Sequence, residues 1–144
     1  MKLSFQDYIS IKIHKTDLVL SGYVKAKLEP YNLAPEQNLI MMLLWEQDGL
    51  TQYQLGEKLD KDKTNIARMA ANLEKKGFVE RRHCPEDRRS MRLYLTSLGQ
   101  ELGGKIIPIT EEFNDIVCKG ISKEELLQVE RLLLKMKTNI ENST

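Results

Sequence analysis

"NLEKKGFVERRHCPEDRRSMRLYLTSLG", residues 72–99, is the stretch on which the fold turns. Gly77 stands where a helix ends on a left-handed residue, a position that suits glycine because it has no Cβ to clash. Beyond it the apolar period changes to two. Residues 78–82 and 91–95 read as paired strands, the second placing Met91, Leu93 and Leu95 on one face and Arg92 and Tyr94 on the other. The segment between them holds Pro85, Arg88 and Arg89 and reads as the tip of a hairpin. Asp87, beside those arginines, is expected to orient one of them or to close the turn through its own backbone.

Working back from Gly77, a fourth helix starts at Asp62 or Asp60 and runs to about Lys76. Before it, Thr51 and Gln54 form a capping box, and Leu50 and Leu55 take the positions of a hydrophobic staple, which predicts a short third helix over residues 51–59. A second helix spans residues 35–47, with Pro35 in its first turn and Leu39, Ile40, Leu43 and Leu44 on its apolar side. The first helix covers residues 5–28. Downstream, Thr96 caps a fifth helix carrying Leu98, Leu102, Ile106, Ile109, Phe113 and Val117, which Gly103, Gly104 and Pro108 weaken or kink. Ser122 and Glu125 form a second capping box for a last helix reaching about Ile140, with Leu126, Val129, Leu133, Met136 and Ile140 at near-heptad spacing. The expected fold is therefore mainly α with a small two- or three-stranded β wing: a winged helix-turn-helix lobe over residues 35–96, with residues 5–28 and 97–140 as a helical dimerisation arm. Residues 1–144 are expected to be one architectural unit, since this length suits one domain rather than two independent ones.

A net charge of +1 hides a strong asymmetry. Residues 1–57 sum to −2, residues 58–92 to +5 and residues 97–144 to −2, so the basic surface coincides with the fourth helix and the hairpin. Around the fourth helix, Ile66, Met69, Ala70 and Leu73 share an arc of roughly 100° that can face a core. Lys61, Thr64, Asn65, Arg68, Asn72, Lys75 and Lys76 fall within an opposite arc of about 120° that holds no acid. A solvated face normally mixes signs to gain pairs one turn apart, whereas Arg, Asn and Thr without carboxylates match the donors and acceptors on base edges. Arg88 and Arg89 would then lie over an adjacent minor groove or its phosphates, where arginine is favoured.

These residues resemble the MarR family of bacterial transcriptional regulators. The likeness lies in Leu73-Glu74-Lys75-Lys76-Gly77 closing the recognition helix, in Asp87-Arg88-Arg89 at the wing tip, and in Leu93-Tyr94-Leu95-Thr96 followed by Gly99. The resemblance implies a homodimer whose first, fifth and sixth helices interleave, and whose two lobes span a pseudo-palindromic operator in double-stranded DNA. It further implies a repressor that lets go when a small lipophilic or anionic ligand binds between arm and lobe. One branch of the family senses peroxides through a cysteine in the first helix. That helix has no cysteine here; Cys84 instead neighbours Arg81, Arg82 and His83, a setting that favours the thiolate and makes it a candidate redox site. Cys118 reads as a small core residue, and Trp45 and Tyr31 as core packing rather than ligand pocket.

No cofactor and no metal site is expected: two cysteines and two histidines show no ligand spacing. A signal-peptide core and any apolar run near about 20 residues are missing, so no membrane partner is expected and the location is cytoplasmic by default. The chain offers no Ser-His-Asp set, no phosphate loop and no paired carboxylates suited to catalysis, which argues against an enzyme. The alternative function is a winged-helix module for protein contact that does not read DNA; it needs an exposed apolar patch on the recognition helix, and the sequence supplies none.

Overall fold

The computed structural model describes Lys2 and residues 4–143. A short 3-10 turn at Phe5–Asp7 precedes α1 (Ile9–Leu28), so the first helix begins later than the periodicity predicts. A second 3-10 turn, Glu29–Tyr31, ends on Asn32 with φ 55, a left-handed conformation that asparagine adopts more readily than most residues. Pro35 then opens α2 (Pro35–Glu46), its fixed φ already helical and its missing N–H no loss in a first turn. The buried residues of α2 are Gln37, Asn38, Ile40, Met41 and Leu44, while Leu39 is exposed. Of the apolar stripe read from the sequence, Ile40 and Leu44 are buried and Leu43 packs on the core, and Leu39 is the correction: polar Gln37 and Asn38 are buried instead, and a count of apolar residues passes over them.

Thr51 caps α3 (Gln52–Leu59) as expected, its hydroxyl accepting from the Gln54 N–H at 3.0 Å while Gln54 Oε1 accepts from the Thr51 N–H at 2.8 Å. Asp60 ends the helix in the left-handed region, and Asp62 caps α4 (Lys63–Lys75) by accepting from the Asn65 N–H at 2.7 Å. The four apolar residues expected inward from α4, Ile66, Met69, Ala70 and Leu73, are all buried. Its C-terminus closes through Gly77 at φ 86, with the Phe78 N–H bonded to the Leu73 carbonyl and the Gly77 N–H to that of Glu74.

The wing consists of β1 (Val79–His83) and β2 (Met91–Leu95), antiparallel, with Arg81 opposite Leu93. β1 starts one residue later than expected. A third strand is reduced to an isolated bridge between Thr51 and Arg92, flanked by Leu93 N–H to Leu50 carbonyl and Gly49 N–H to Leu93 carbonyl bonds. Leu28, Ile40, Leu44, Leu55, Leu73 and Leu93 belong to one buried cluster, so the wing and the helices before it share a core. α5 (Ser97–Val117) runs through Pro108 as one helix, and Ile106 on it joins the same cluster.

The chain divides into two compact units after Ile109. In the second, α6 (Lys123–Glu141) is capped by Ser122, which accepts from the Glu125 N–H at 3.1 Å while Glu125 Oε1 accepts from the Ser122 N–H at 2.9 Å. The bond from the Ser122 N–H is the main cause holding the Glu125 carboxyl below its ordinary pKa. None of the described residues of α6 is buried; Leu126 and Met136 are half-covered, and Val129, Leu133 and Ile140 are exposed. Cys118 is half-buried rather than a core residue.

Candidate nucleic-acid interface

α4 places Thr64, Arg68, Asn72 and Lys75 in solvent on the side away from its buried row. Asn65 is half-buried, and its Oδ1 accepts from Arg68 Nη2 at 2.6 Å. The bond joins residues three apart on one helical face, so it restrains the guanidinium before any partner arrives. All five of these side chains reach the surface, Asn65 only in part.

Two lysines expected on that face from the sequence are placed elsewhere. Lys61 Nζ lies 2.6 Å from Glu36 Oε2. Lys76 Nζ donates to the Asn32 carbonyl at 2.8 Å and to Gln37 Oε1 at 2.7 Å. Helical position fixes where Cβ leaves the backbone, but a lysine stem is long enough to carry its ammonium to acceptors on another element.

At the wing tip, Arg88 and Arg89 are exposed. Asp87 has the structural role expected of it: its Oδ1 accepts from the Arg89 N–H at 3.0 Å, and its carbonyl accepts from the Ser90 N–H at 3.0 Å. His83 Nδ1 sits 2.6 Å from the Arg88 carbonyl, and because a carbonyl only accepts, that nitrogen carries the proton. Cys84 is only 5 % exposed, packed at the base of the tip, with its N–H bonded to the Ser90 carbonyl. The solvent exposure that redox sensing requires is therefore not found at this thiol, although basic residues do adjoin it in sequence.

The other wing arginines are engaged within the fold. Arg81 donates through its backbone N–H to Glu74 Oε2 at 2.9 Å and through Nε to Glu74 Oε1 at 3.1 Å. The bond from the Arg81 backbone is the main cause holding the Glu74 carboxyl below its ordinary pKa, with partial desolvation opposing it. Arg82 lies 4.6 Å from the Tyr94 ring centre and pairs with Glu80, and Arg92 Nη1 donates to the Gly49 carbonyl at 2.8 Å. The Arg81 and Arg92 bonds tie the ribbon to the lobe, the Arg82 contacts stay within the ribbon, and Arg88 and Arg89 are exposed at its tip.

Between the start of α3, the entry to α4 and the wing lies a cleft of about 700 Å³, lined among others by Gln52, Tyr53, Glu57, Lys63 and Arg89. Sequence reasoning misses Lys63, Gln52 and Tyr53. Lys63, the first residue of α4, is recoverable from its place beside the Asp62 cap; Tyr53 carries no signal beyond being an aromatic on a short polar helix. Its hydroxyl bonds to Glu57, whose carboxylate raises the tyrosine pKa. The cleft is lined by both signs of charge, Lys61, Lys63 and Arg89 with Glu57 and Asp87.

Residues 33–91 match the model of the MarR family. The transcriptional regulator HosA of Escherichia coli O111:H- is 30 % identical over 105 residues, covering 73 % of this chain and 78 % of that one. The organic hydroperoxide resistance transcriptional regulator of Bacillus subtilis (strain 168) is 27 % identical over 107 residues, 74 % of this chain and 73 % of its own. Among solved structures, a MarR family regulator from Listeria monocytogenes complexed with 26mer DNA superposes with a TM-score of 0.80 at 27 % identity, covering 99 % of this chain and 92 % of that one. The S. aureus MepR–DNA complex gives 0.85 at 24 % identity over 95 % and 99 %, a likeness of fold. With the helix order, the wing and the basic face of α4 in place, this chain is a member of the MarR family, a DNA-binding transcriptional regulator and not an enzyme.

Proposed function

We propose that the protein is a cytoplasmic, homodimeric repressor that seats α4 in the major groove of each half of a pseudo-palindromic operator, with Arg88 and Arg89 over the flanking minor groove or phosphates. The observation that carries this reading is the exposed, acid-free row Thr64, Arg68, Asn72 and Lys75 beside a wing whose tip arginines, Arg88 and Arg89, are exposed. Thr64 and Asn65 stand in the first turn and meet base edges if the helix enters N-terminus first, whereas Lys75 reaches a phosphate. The DNA-binding lobe is residues 35–96, and residues 5–28 and 97–140 supply the arm, all within a single family unit of residues 1–144.

Pairing of two copies is supported by apolar side chains left in solvent: Ile9, Leu18 and Val19 on α1, and Leu127, Leu134 and Ile140 on α6. Release by a small lipophilic or anionic ligand fits the family; such a ligand works only by binding more tightly to the lobe spacing that does not match DNA. No helix of the described residues is long and apolar enough to cross a membrane, which is compatible with a regulator that meets DNA.

Selection of bound duplexes from a random pool tests the reading. Recovery of an inverted repeat with half-sites about one helical turn apart is the expected result. Recovery of no duplex at low salt would instead favour a module that contacts an acidic protein.

A further inference from the structure

The first turn of α2 holds both ends of the recognition helix. Ahead of α4, Lys61 pairs with Glu36 at 2.6 Å. At its far end Lys76, the C-cap residue, donates to Gln37 Oε1 at 2.7 Å and to the carbonyl of the left-handed Asn32 at 2.8 Å. Gln37 is 8 % exposed, and the same Oε1 accepts a longer bond of 3.3 Å from the Ala34 N–H.

We propose that this turn is a positioning clamp for α4, in which Lys76 acts on DNA binding by fixing the pitch of the helix and not by contacting phosphate. An ammonium has three donors, and two are occupied inside the fold. Swinging Lys76 out to DNA would break both bonds and leave Gln37 Oε1, already withdrawn from water, with only its long backbone partner. The Lys61–Glu36 pair is the weaker arm, because the Glu36 side chain is 59 % exposed and its attraction is screened. Asn32, Ala34 and Gln37 all lie in the corner that follows α1, so the clamp ties the reading helix to that corner by directional bonds as well as by shared core.

Geometry and charge leave different marks. Removing one cation that neutralises a phosphate lowers the salt slope of binding by about 0.9, whereas a misplaced helix weakens binding without releasing fewer counterions. The inference rests on α4 being the DNA-reading helix, so Arg89→Ala is included as a control for that reading. Lys76→Met, Gln37→Met, the double variant, Lys76→Gln and Arg89→Ala would be titrated with a duplex selected from the random pool, over about 50 to 200 mM salt.

Lys76→Met and Gln37→Met are each expected to weaken binding about tenfold, the size of one missing charge-assisted hydrogen bond, with the wild-type salt slope. The double variant should be no worse than the poorer single one, since both remove the same bond. Lys76→Gln, which keeps a donor but no charge, should recover part of the loss, and it carries the test if the methionine variant does not fold. A drop in slope for Lys76→Met matching that of Arg89→Ala, additive losses in the double variant, or unchanged affinity would each overturn the clamp. Wild-type affinity and slope for Arg89→Ala would remove the interface reading beneath it.

Discussion

The indole N–H of Trp45 donates to the carbonyl of Gly99 at 3.0 Å, and the ring lies on the bare backbone of Gly103 one turn further along α5. A Cβ on Gly103 would stand 2.8 Å from Trp45 Nε1, and one on Gly99 would stand 2.1 Å from the Phe78 carbonyl oxygen. Alanine gains about 1 kcal/mol over glycine in a helix, and overpacking costs about 1–3 kcal/mol, so the sign depends on what can move. At Gly103 an indole can tilt; at Gly99 the obstacle is main chain. Gly103→Ala should therefore lower stability by about 1 kcal/mol and Gly99→Ala by at least about 3 kcal/mol, measured as a fall in the urea midpoint. An unchanged midpoint for Gly99→Ala would contradict the close approach of α5 to the backbone of Phe78, just before β1.

Glu74 links α4 to β1, and its carboxyl titrates below the ordinary value of 4.5. A folded pKa lowered in this way stabilises the protein above the unfolded value and ceases to do so as pH falls through the lower, folded value. Glu74→Gln should accordingly cost about 1 kcal/mol at neutral pH, a modest figure because the side chain is 38 % exposed. The difference between variant and parent should close on acidification below the ordinary carboxylate range. Denaturant titrations at several pH values measure it, and a gap that widens in acid would reverse the assignment.

Arg89→Ala should weaken DNA binding across sequences and reduce the salt slope by about 0.9. Asn65→Ala should do the reverse. Removing its Oδ1 frees Arg68 from the 2.6 Å bond that aims it, so discrimination among bases should fall by about 1–3 kcal/mol with little change in slope. Competition gel shifts against operators altered at single positions separate the two effects.

Much of the lobe is legible in the sequence because its signals are local. Thr51 with Gln54, Asp62 with Asn65, and Gly77 at the end of α4 each act within four residues, and each does what its residue type predicts. The buried row of α4 follows from helical spacing alone. What escapes a reading of the sequence depends on partners distant in the chain. Lys76 meets Asn32 and Gln37 across separations of 44 and 39 residues, and nothing near Lys76 records them. Leu39 reads as inward by its type, yet Gln37 takes a buried place because Lys76 satisfies it. Cys84 follows three basic residues in the chain, yet its thiol is buried while Arg81 turns to Glu74 and Arg82 to Tyr94.

Burial of Cys84 sets its reactivity. In the folded protein a thiol at 5 % exposure should react with an alkylating reagent only as fast as the tip opens, and denaturant should release it to react at the rate of a free cysteine. Mass spectrometry of timed samples measures both. Rapid labelling of Cys84 under native conditions would show that the wing tip is open.

Among the described residues β1 has a strand partner on one side only, so the amides that alternate away from β2 form a raw margin. The middle one, at Arg81, is stopped by the Glu74 carboxylate, and Glu80 and Arg82 put charge to either side. A foreign strand attempting to zip onto this margin would have to displace a carboxylate and bury two ions, so the ribbon that serves as a wing is protected against recruiting its own kind into fibres.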